Sequence, residues 1–503
     1  MKAVVGIDIG TQGTKAALYD EGGNRLAQAL VASQLNRPAP GVVEEDPENQ
    51  FQSVCDAIRA CAAKAKTDPA SIAAIGIDGQ MAGILGVDKT GRHVTPYDSW
   101  LDTRCGRYIE TMEKDAGEEI VAKTGGPPSF NHGPKILWWM HERKAMYRKI
   151  AAFVQPGAYA AMRLCGLAAA EAFIDKTYLH FSGFADNQRA AWDASLCRQF
   201  KIDPDKLPAI VAPETIVGEV TAEAARKCGL KPGVPVVAGC GDTAASFLAC
   251  GAVREGICVD VAGTASVFAT TTTSFCADQK HRMLACGQSA IAGLWHPYAY
   301  INGGGMNLEW FRREFANRGK GGKPLDFAQL NAMAASVAPR DGLPMFVPHL
   351  GGRVCPGQPH LRGAWVDLAW DHGVAELYRA VLEGVALEYA LYKRTLLDLY
   401  DAIPFRELRV TGGGEKSEIW NRIKSDVMQM PVRRITRSDG APLGAALIAG
   451  HGVGLFPNMT ATAKKWIAVE DKTPPTKTLA SHYAKRIARY GAVLESLNRL
   501  PQP

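Results

Sequence analysis

Ile7-Asp8-Ile9-Gly10-Thr11-Gln12-Gly13-Thr14-Lys15 and Val259-Asp260-Val261-Ala262-Gly263-Thr264 carry one pattern, with Asp8 and Asp260 standing 252 positions apart. In each, an apolar run is broken by a single Asp, a Gly-Thr turn follows, and a β-rich run resumes. Short apolar runs closed by turn residues read as strands. Residues 4–9 and 15–19 are thus a hairpin, and Gly22-Gly23-Asn24 turns the chain into a third strand at 26–32. Residues 257–261 and 266–271 repeat the hairpin. The repeat predicts two lobes of similar topology whose hairpins face each other.

The flanking sequence extends this to an α/β architecture. A helix is predicted over 47–66, where Pro47 opens the first turn and Phe51, Val54, Cys55, Ile58 and Cys61 make an apolar face. A strand over 72–77 ends at Asp78-Gly79, and strands and helices then alternate. The middle is helical, with helices starting at Pro134 and after Gln155-Pro156-Gly157. A strand over 234–238 runs through Gly239-Cys240-Gly241-Asp242 into a helix over 243–250. Later come a long helix over 373–399, a strand over 407–410, Thr411-Gly412-Gly413-Gly414, a helix from Ser417 and a small-residue helix over 441–449. The polar, basic tail from about residue 472 reads as peripheral.

Composition narrows the function classes. A chain of 503 residues exceeds one ordinary domain. Its 47% hydrophobic and 21% charged residues are those of a folded soluble protein. The net charge of +6 is too mild to demand a nucleic-acid partner. Twelve scattered Cys, with no CxxC pair and no zinc-ligand spacing, suit core-filling thiols in a reducing cytoplasm. Asp8 interrupts the first apolar run, so it is no signal segment. Residues 283–308 lack Asp, Glu, Lys and Arg, but Gln288, His296, Asn302 and Gly303–305 make them strands and a loop, not a membrane span.

Several constellations carry chemistry. In Asp8 to Lys15, successive N–H groups of a Gly/Thr turn form a concave anion site, with Lys15 as a point charge. Asp8 at the strand end is placed to hold Mg²⁺ through water; a buried Asp in an ordinary hairpin is the alternative. Asp242 joins a strand end to a helix start among small residues. Phosphoryl transfer to a hydroxyl needs such a carboxylate to accept the proton, but an N-cap Asp also fits the position and, on these residues alone, is the stronger reading. Gly263-Thr264, Gly303–305 and Gly412–414 are turns suited to nucleotide contact, each weak alone. No Walker A pattern is present. Gln80, Trp100 and Asp102 supply the amide, aromatic and carboxylate mix that sugar recognition wants, although a surface loop with a core Trp reads the same.

Taken in order, "GIDIGTQGTKAALYD", "GIDGQMAG", "SWLDTR", "VVAGCGD", "GTAS", "GGGMNLEW", "RAVLEGVALEY" and "VTGGGEKSEIWNRIKSD" resemble the FGGY family of carbohydrate kinases over nearly the whole chain. The resemblance implies two actin-like (ribonuclease H-like) ATPase lobes, here residues 1–243 and 244–503, closing around a cleft that holds ATP and a sugar. It implies Asp242 as general base, and Asp8 with Asp242 as Mg²⁺-associated carboxylates. Thr11, Gln12 and Lys15 then belong to the first phosphate turn and Gly263 and Thr264 to the second. Gly304, Gly305, Gly413, Gly414 and Ser417 become nucleotide contacts, and Gln80, Met81, Trp100, Asp102 and Thr243 the sugar side. The Gln80-Met81 pair is similar to the xylulose kinase branch, which points to D-xylulose. Ala82 and Thr243 depart from that branch, where His and Asn are usual, so another ketose, a polyol or a signalling sugar stays open. A homodimer is compatible with the family. An actin-like ATPase without a sugar substrate is the rival class; it would need neither the sugar-side set nor Asp242.

Overall fold

The computed structural model describes residues 2–316, 325–435 and 439–500. Among them, two seven-stranded sheets form the frame. The first is built from β1 (Ala3–Gly10), β2 (Gly13–Asp20), β3 (Arg25–Ala32), β4 (Ile72–Gly79), β5 (Ile216–Glu219), β6 (Pro235–Val237) and β7 (Cys240–Gly241). Its order is β5-β6-β4-β1-β2-β3, with β7 also beside β4. Helix α1 (Pro47–Ala65) covers one face, and α2 (Asp242–Ala249) leaves the sheet directly after β7. The second sheet contains β8 (Ile257–Ala262), β9 (Ser266–Thr270), β10 (Ala285–Gln288), β11 (Trp295–Ile301), β12 (Glu407–Thr411), β13 (Val432–Ile435) and β14 (Val469–Thr473), ordered β10-β11-β9-β8-β12-β13-β14. Helices α3 (Gly304–Glu314), α4 (Val374–Leu399), α5 (Glu418–Met428), α6 (Ala441–Gly452) and α7 (Ala480–Asn498) complete the frame.

The repeat seen in the sequence is a repeat of topology. β1 pairs antiparallel with β2 and parallel with β4; β8 pairs antiparallel with β9 and parallel with β12. Each central strand therefore has a hairpin on one side and a crossover strand on the other. The central strands are buried on both faces, which is why they read as nearly continuous apolar runs. Helix α1 starts as expected: Asp46 accepts from the N–H groups of Glu48 (2.8 Å) and Asn49 (3.2 Å), and Pro47 takes the first turn.

Two outcomes differ from the sequence reading. Residues 283–308 contain the expected strands, but α3 begins at Gly304 inside them. The tail is not peripheral. β14 closes the edge of the second sheet, and α7 buries Tyr483, Tyr490 and Leu494 on the lobe core. Those residues recur at helical spacing, so the basic composition masked an apolar stripe. Tyr490 donates to Glu388 Oε2 of α4 at 2.7 Å.

Helix α6 crosses between the lobes. Although it belongs to the last third of the chain, it packs on β1, β4 and α2. Gly6 faces the Pro442 carbonyl and Gly76 the Ala445 carbonyl with no room for a Cβ. The resulting core joins Val4, Ala245, Ile257 and Leu447 in one cluster.

Candidate active site

The carboxyl ends of β1, β4 and β7 converge. Lys15 pairs with Asp8, Asp8 with Asp78, and Asp78 with Cys240, a row across four adjacent strands. Register partners share one face of a sheet. Two carboxyl groups therefore stand side by side, with a lysine at one end of the row. Burial raises the pKa of Asp8 above the usual carboxylate range, opposed by contact with Asp78 and by Lys15. Asp78 is fully buried and is pushed far higher by burial and by the charges of Asp8 and Asp242. The Cys240 thiol is buried and pushed up likewise, which argues against a reactive cysteine.

Asp242 lies two residues beyond this row. The N-cap of α2 is Gly241, so Asp242 is the first helical residue and not the cap. Its carboxylate accepts from Thr243 Oγ1 at 3.1 Å. Burial, then the charge of Asp8, pushes its pKa up to about 7. The junction is held from below: Gly241 N–H donates to Thr177 Oγ1 (2.9 Å), and the Tyr178 hydroxyl donates to the carbonyls of Gly79 (3.0 Å) and Cys240 (3.3 Å). Beside Thr243, a narrow interlobe cleft is lined by Met81, Thr177, His180, Gln288, His296 and Tyr298, among others. His180 Nε2, in a short helical turn of the first lobe, and the Tyr298 hydroxyl on β11 of the second are hydrogen-bonded at 2.8 Å. Burial drops His180 to about 3 and His296 to about 4, so both are neutral.

The expected sugar-side residues divide. Trp100 is 42% exposed, and its indole N–H donates to Thr11 Oγ1 at 2.8 Å. Gln80 is buried; its backbone N–H donates to Ile9 O (3.1 Å) and its amide to Glu45 Oε1 (3.0 Å). Met81 is buried on the cleft wall. Asp102 is fully buried, accepting from the N–H of Val43 (2.8 Å) and from Arg104 Nε (2.9 Å). In this conformation it braces the Trp100 loop and does not face the cleft. Glu45 and Asp78 are the residues that sequence reasoning did not single out. The single Asp at the end of an apolar strand, in Ile77-Asp78-Gly79, was the available signal for Asp78.

The second lobe gathers its glycines around the end of β8. The N–H groups of Gly305 and Met306, in the first turn of α3, donate to the carbonyls of Gly263 (2.9 Å) and Thr264 (3.1 Å). Gly412 has φ +84° and lies against the Ala262 carbonyl, and Gly414 packs on Trp420. Gly413 faces open space. Gly304 is buried against Ser266, whereas Ser417 caps α5 by accepting from the Trp420 N–H at 3.3 Å. Gln12 is exposed at the tip of the first hairpin. The strand-central acid of this lobe differs in kind from Asp8: Asp260 is fully buried, ion-paired to Lys424 and bonded by the Tyr389 hydroxyl at 2.7 Å.

Two lobes of this topology, with a Gly-Thr hairpin in each and Asp242 at the start of α2 between them, make the architecture of the actin-like fold class. Residues 3–249 match the FGGY family of carbohydrate kinases, N-terminal domain, and residues 258–453 match its C-terminal domain. The chain belongs to the FGGY family of carbohydrate kinases, enzymes that use ATP as phosphate donor, and it is xylulose kinase-like. It is 29% identical to the xylulose kinase of Escherichia coli over 452 residues, covering 88% of this chain and 89% of that one. It is 27% identical to the gluconokinase of Bacillus subtilis over 493 residues, covering 95% and 94%. The crystal structure of xylulose kinase from Rhodospirillum rubrum superposes with a TM-score of 0.89 at 26% identity, covering 99% of each chain. Among the described residues no helix is long and apolar enough to cross a membrane.

Proposed function

We propose that this kinase phosphorylates a primary hydroxyl of a small neutral ketose, a ketopentose such as D-xylulose, with Asp242 as general base. The supporting observation is the placement of Asp242: first residue of α2, beside the interlobe cleft, with a pKa near neutrality. A base poised there accepts a proton efficiently at cellular pH. The sugar O–H proton passes to the Asp242 carboxylate as the sugar oxygen bonds the terminal phosphorus, and the bridging P–O bond of ATP breaks to release ADP. Thr243 Oγ1 holds the carboxylate in orientation.

Mg²⁺-ATP brings the transferable phosphoryl group and compensates its charge. The residues present fit that group: Asp8 Oδ1 is buried with no hydrogen-bonding partner, and Lys15 stands beside it. Asp8 would hold the cation largely through water, with Thr11, Gln12 and Lys15 facing the phosphates. Gly263, Thr264, Gly304, Gly305, Gly413 and Gly414 would shape the nucleotide's other side. Trp100, Gln80, Met81 and Thr243 form the sugar side. We take the lobes as residues 1–243 and 244–503, with α2 spanning their boundary, in a cytoplasmic enzyme whose family is compatible with a homodimer.

The side chains that line the cleft include no lysine or arginine, and its two histidines are neutral, so the cleft wall gives no positive charge to an acid sugar. A gluconate kinase is the second reading, favoured by the Bacillus subtilis relative and by Ala82. A coupled ADP-release assay over ketopentoses, ketohexoses, polyols and gluconate decides between them. Hydrolysis of ATP that no sugar stimulates would overturn both.

A further inference from the structure

We infer that Asp78 joins Asp8 to form a two-carboxylate seat for the divalent cation, a seat made by this chain's own strand register. The inference rests on the kinase reading above.

Three observations carry it. Asp78 and Asp8 are register partners on adjacent parallel strands, so their side chains leave the sheet on the same face. Their carboxyl groups touch each other. Asp78 is fully buried, and among the described residues no other residue donates to its oxygens or to Asp8 Oδ1, so the two carboxyl groups meet only each other there. Buried polar atoms are almost always paired, and a buried carboxylate left without donors is costly. Asp260, the corresponding residue of the other lobe, shows the usual remedy: a lysine and a tyrosine hydroxyl satisfy it. No such donors reach Asp78. What the pair lacks is positive charge between its oxygens, and Mg²⁺ is bound by one or two carboxylates, with water and phosphate completing its shell. Among the described residues no group of three or more His, Cys, Asp or Glu is placed to hold a metal ion.

The test is direct binding of Mn²⁺ to the nucleotide-free chain, counting the free hexaaqua ion by electron paramagnetic resonance. Wild type should bind one ion per chain. Asp78→Asn and Asp78→Ser should each weaken that affinity tenfold or more, and each should lose the rise in Tm that Mn²⁺ gives the wild type. Two variants are used because both relieve the crowded carboxyl pair and are expected to fold. Wild-type affinity in both variants, with affinity lost in Asp8→Asn, would overturn the inference; so would a wild-type chain that binds no Mn²⁺. Sugar-stimulated ADP release, measured on the same wild-type preparation, keeps the two claims apart. If it is present while Asp78 proves irrelevant to Mn²⁺, only the seat fails. If it is absent, the kinase reading fails.

Discussion

The indole N–H of Trp100 donates to Thr11 Oγ1 at 2.8 Å, joining the loop of the sugar side to the first Gly-Thr turn. One hydrogen bond thus links the two halves of the site. Trp100→Phe keeps the ring and removes the donor; Thr11→Val keeps the shape and removes the acceptor. In a double-mutant cycle on kcat/KM for the sugar, the two changes should be non-additive by about 0.5–1.5 kcal/mol. Strict additivity would show that the bond does not couple the sides.

Asp242→Asn should lower kcat by about 10²–10⁴-fold, the range typical of a general base, while ATP and sugar still bind. The same substitution has a stability signature. Asp242 is raised from 3.8 to about 7 in the folded chain, so it lowers stability progressively as pH rises from about 4, where the unfolded group ionises, to about 7, above which the loss is complete. Asn should therefore raise Tm most at pH 8, by a smaller amount at pH 5, where only the unfolded Asp has ionised, and least at pH 3, where Asp is neutral in both states. Differential scanning calorimetry at the three pH values reads this directly.

The pH profile follows from the same group. The base works only as a carboxylate, so kcat/KM should fall as pH drops below about 7, with unit slope. The bond from Thr243 Oγ1 favours the ionised form. Thr243→Val should move the acid limb to higher pH. A limb that stays in place would separate Thr243 from the base.

What could be read ahead of the structure was local. The hairpins at Asp8 and Asp260 announce themselves because turn chemistry is written in adjacent residues. The meeting of Asp8 with Asp78 was not legible, since it depends on a parallel register across an intervening helix. Trp100 and Asp102 sit two apart on one loop and read as partners; the backbone turns one outward and buries the other. The two strand-central acids look alike in sequence; Asp260 is set apart by Lys424 and Tyr389, which arrive from distant helices, and Asp8 by Asp78 beside it.

That difference is testable. Lys424 is fully buried against Asp260 and lies 3.7 Å from the centre of the Trp420 ring. Lys424→Met leaves a buried carboxylate with only the Tyr389 hydroxyl. Removing one partner of a buried pair costs about 3–5 kcal/mol, so Tm should drop sharply. Adding Asp260→Leu to Lys424→Met should recover part of the loss. If the double variant is no more stable than the single, the pair is not what holds this strand.

Gly412 and Gly413 separate the demands of folding from those of the nucleotide. Gly412 has φ +84°, a left-handed conformation that side chains rarely adopt, and a Cβ there would meet the Ala262 carbonyl at 2.7 Å. Gly412→Ala should therefore lower Tm and disturb the end of β8 itself. At Gly413 a Cβ meets nothing within 4 Å, so Gly413→Ala is free of internal strain. If Gly413 is open because the nucleotide approaches it, Ala should leave Tm unchanged and raise KM for ATP several-fold, with KM for the sugar unaltered. A Gly413→Ala enzyme with wild-type KM for ATP would remove this turn from the nucleotide site, whereas a fall in its Tm would mean that the open space serves the fold.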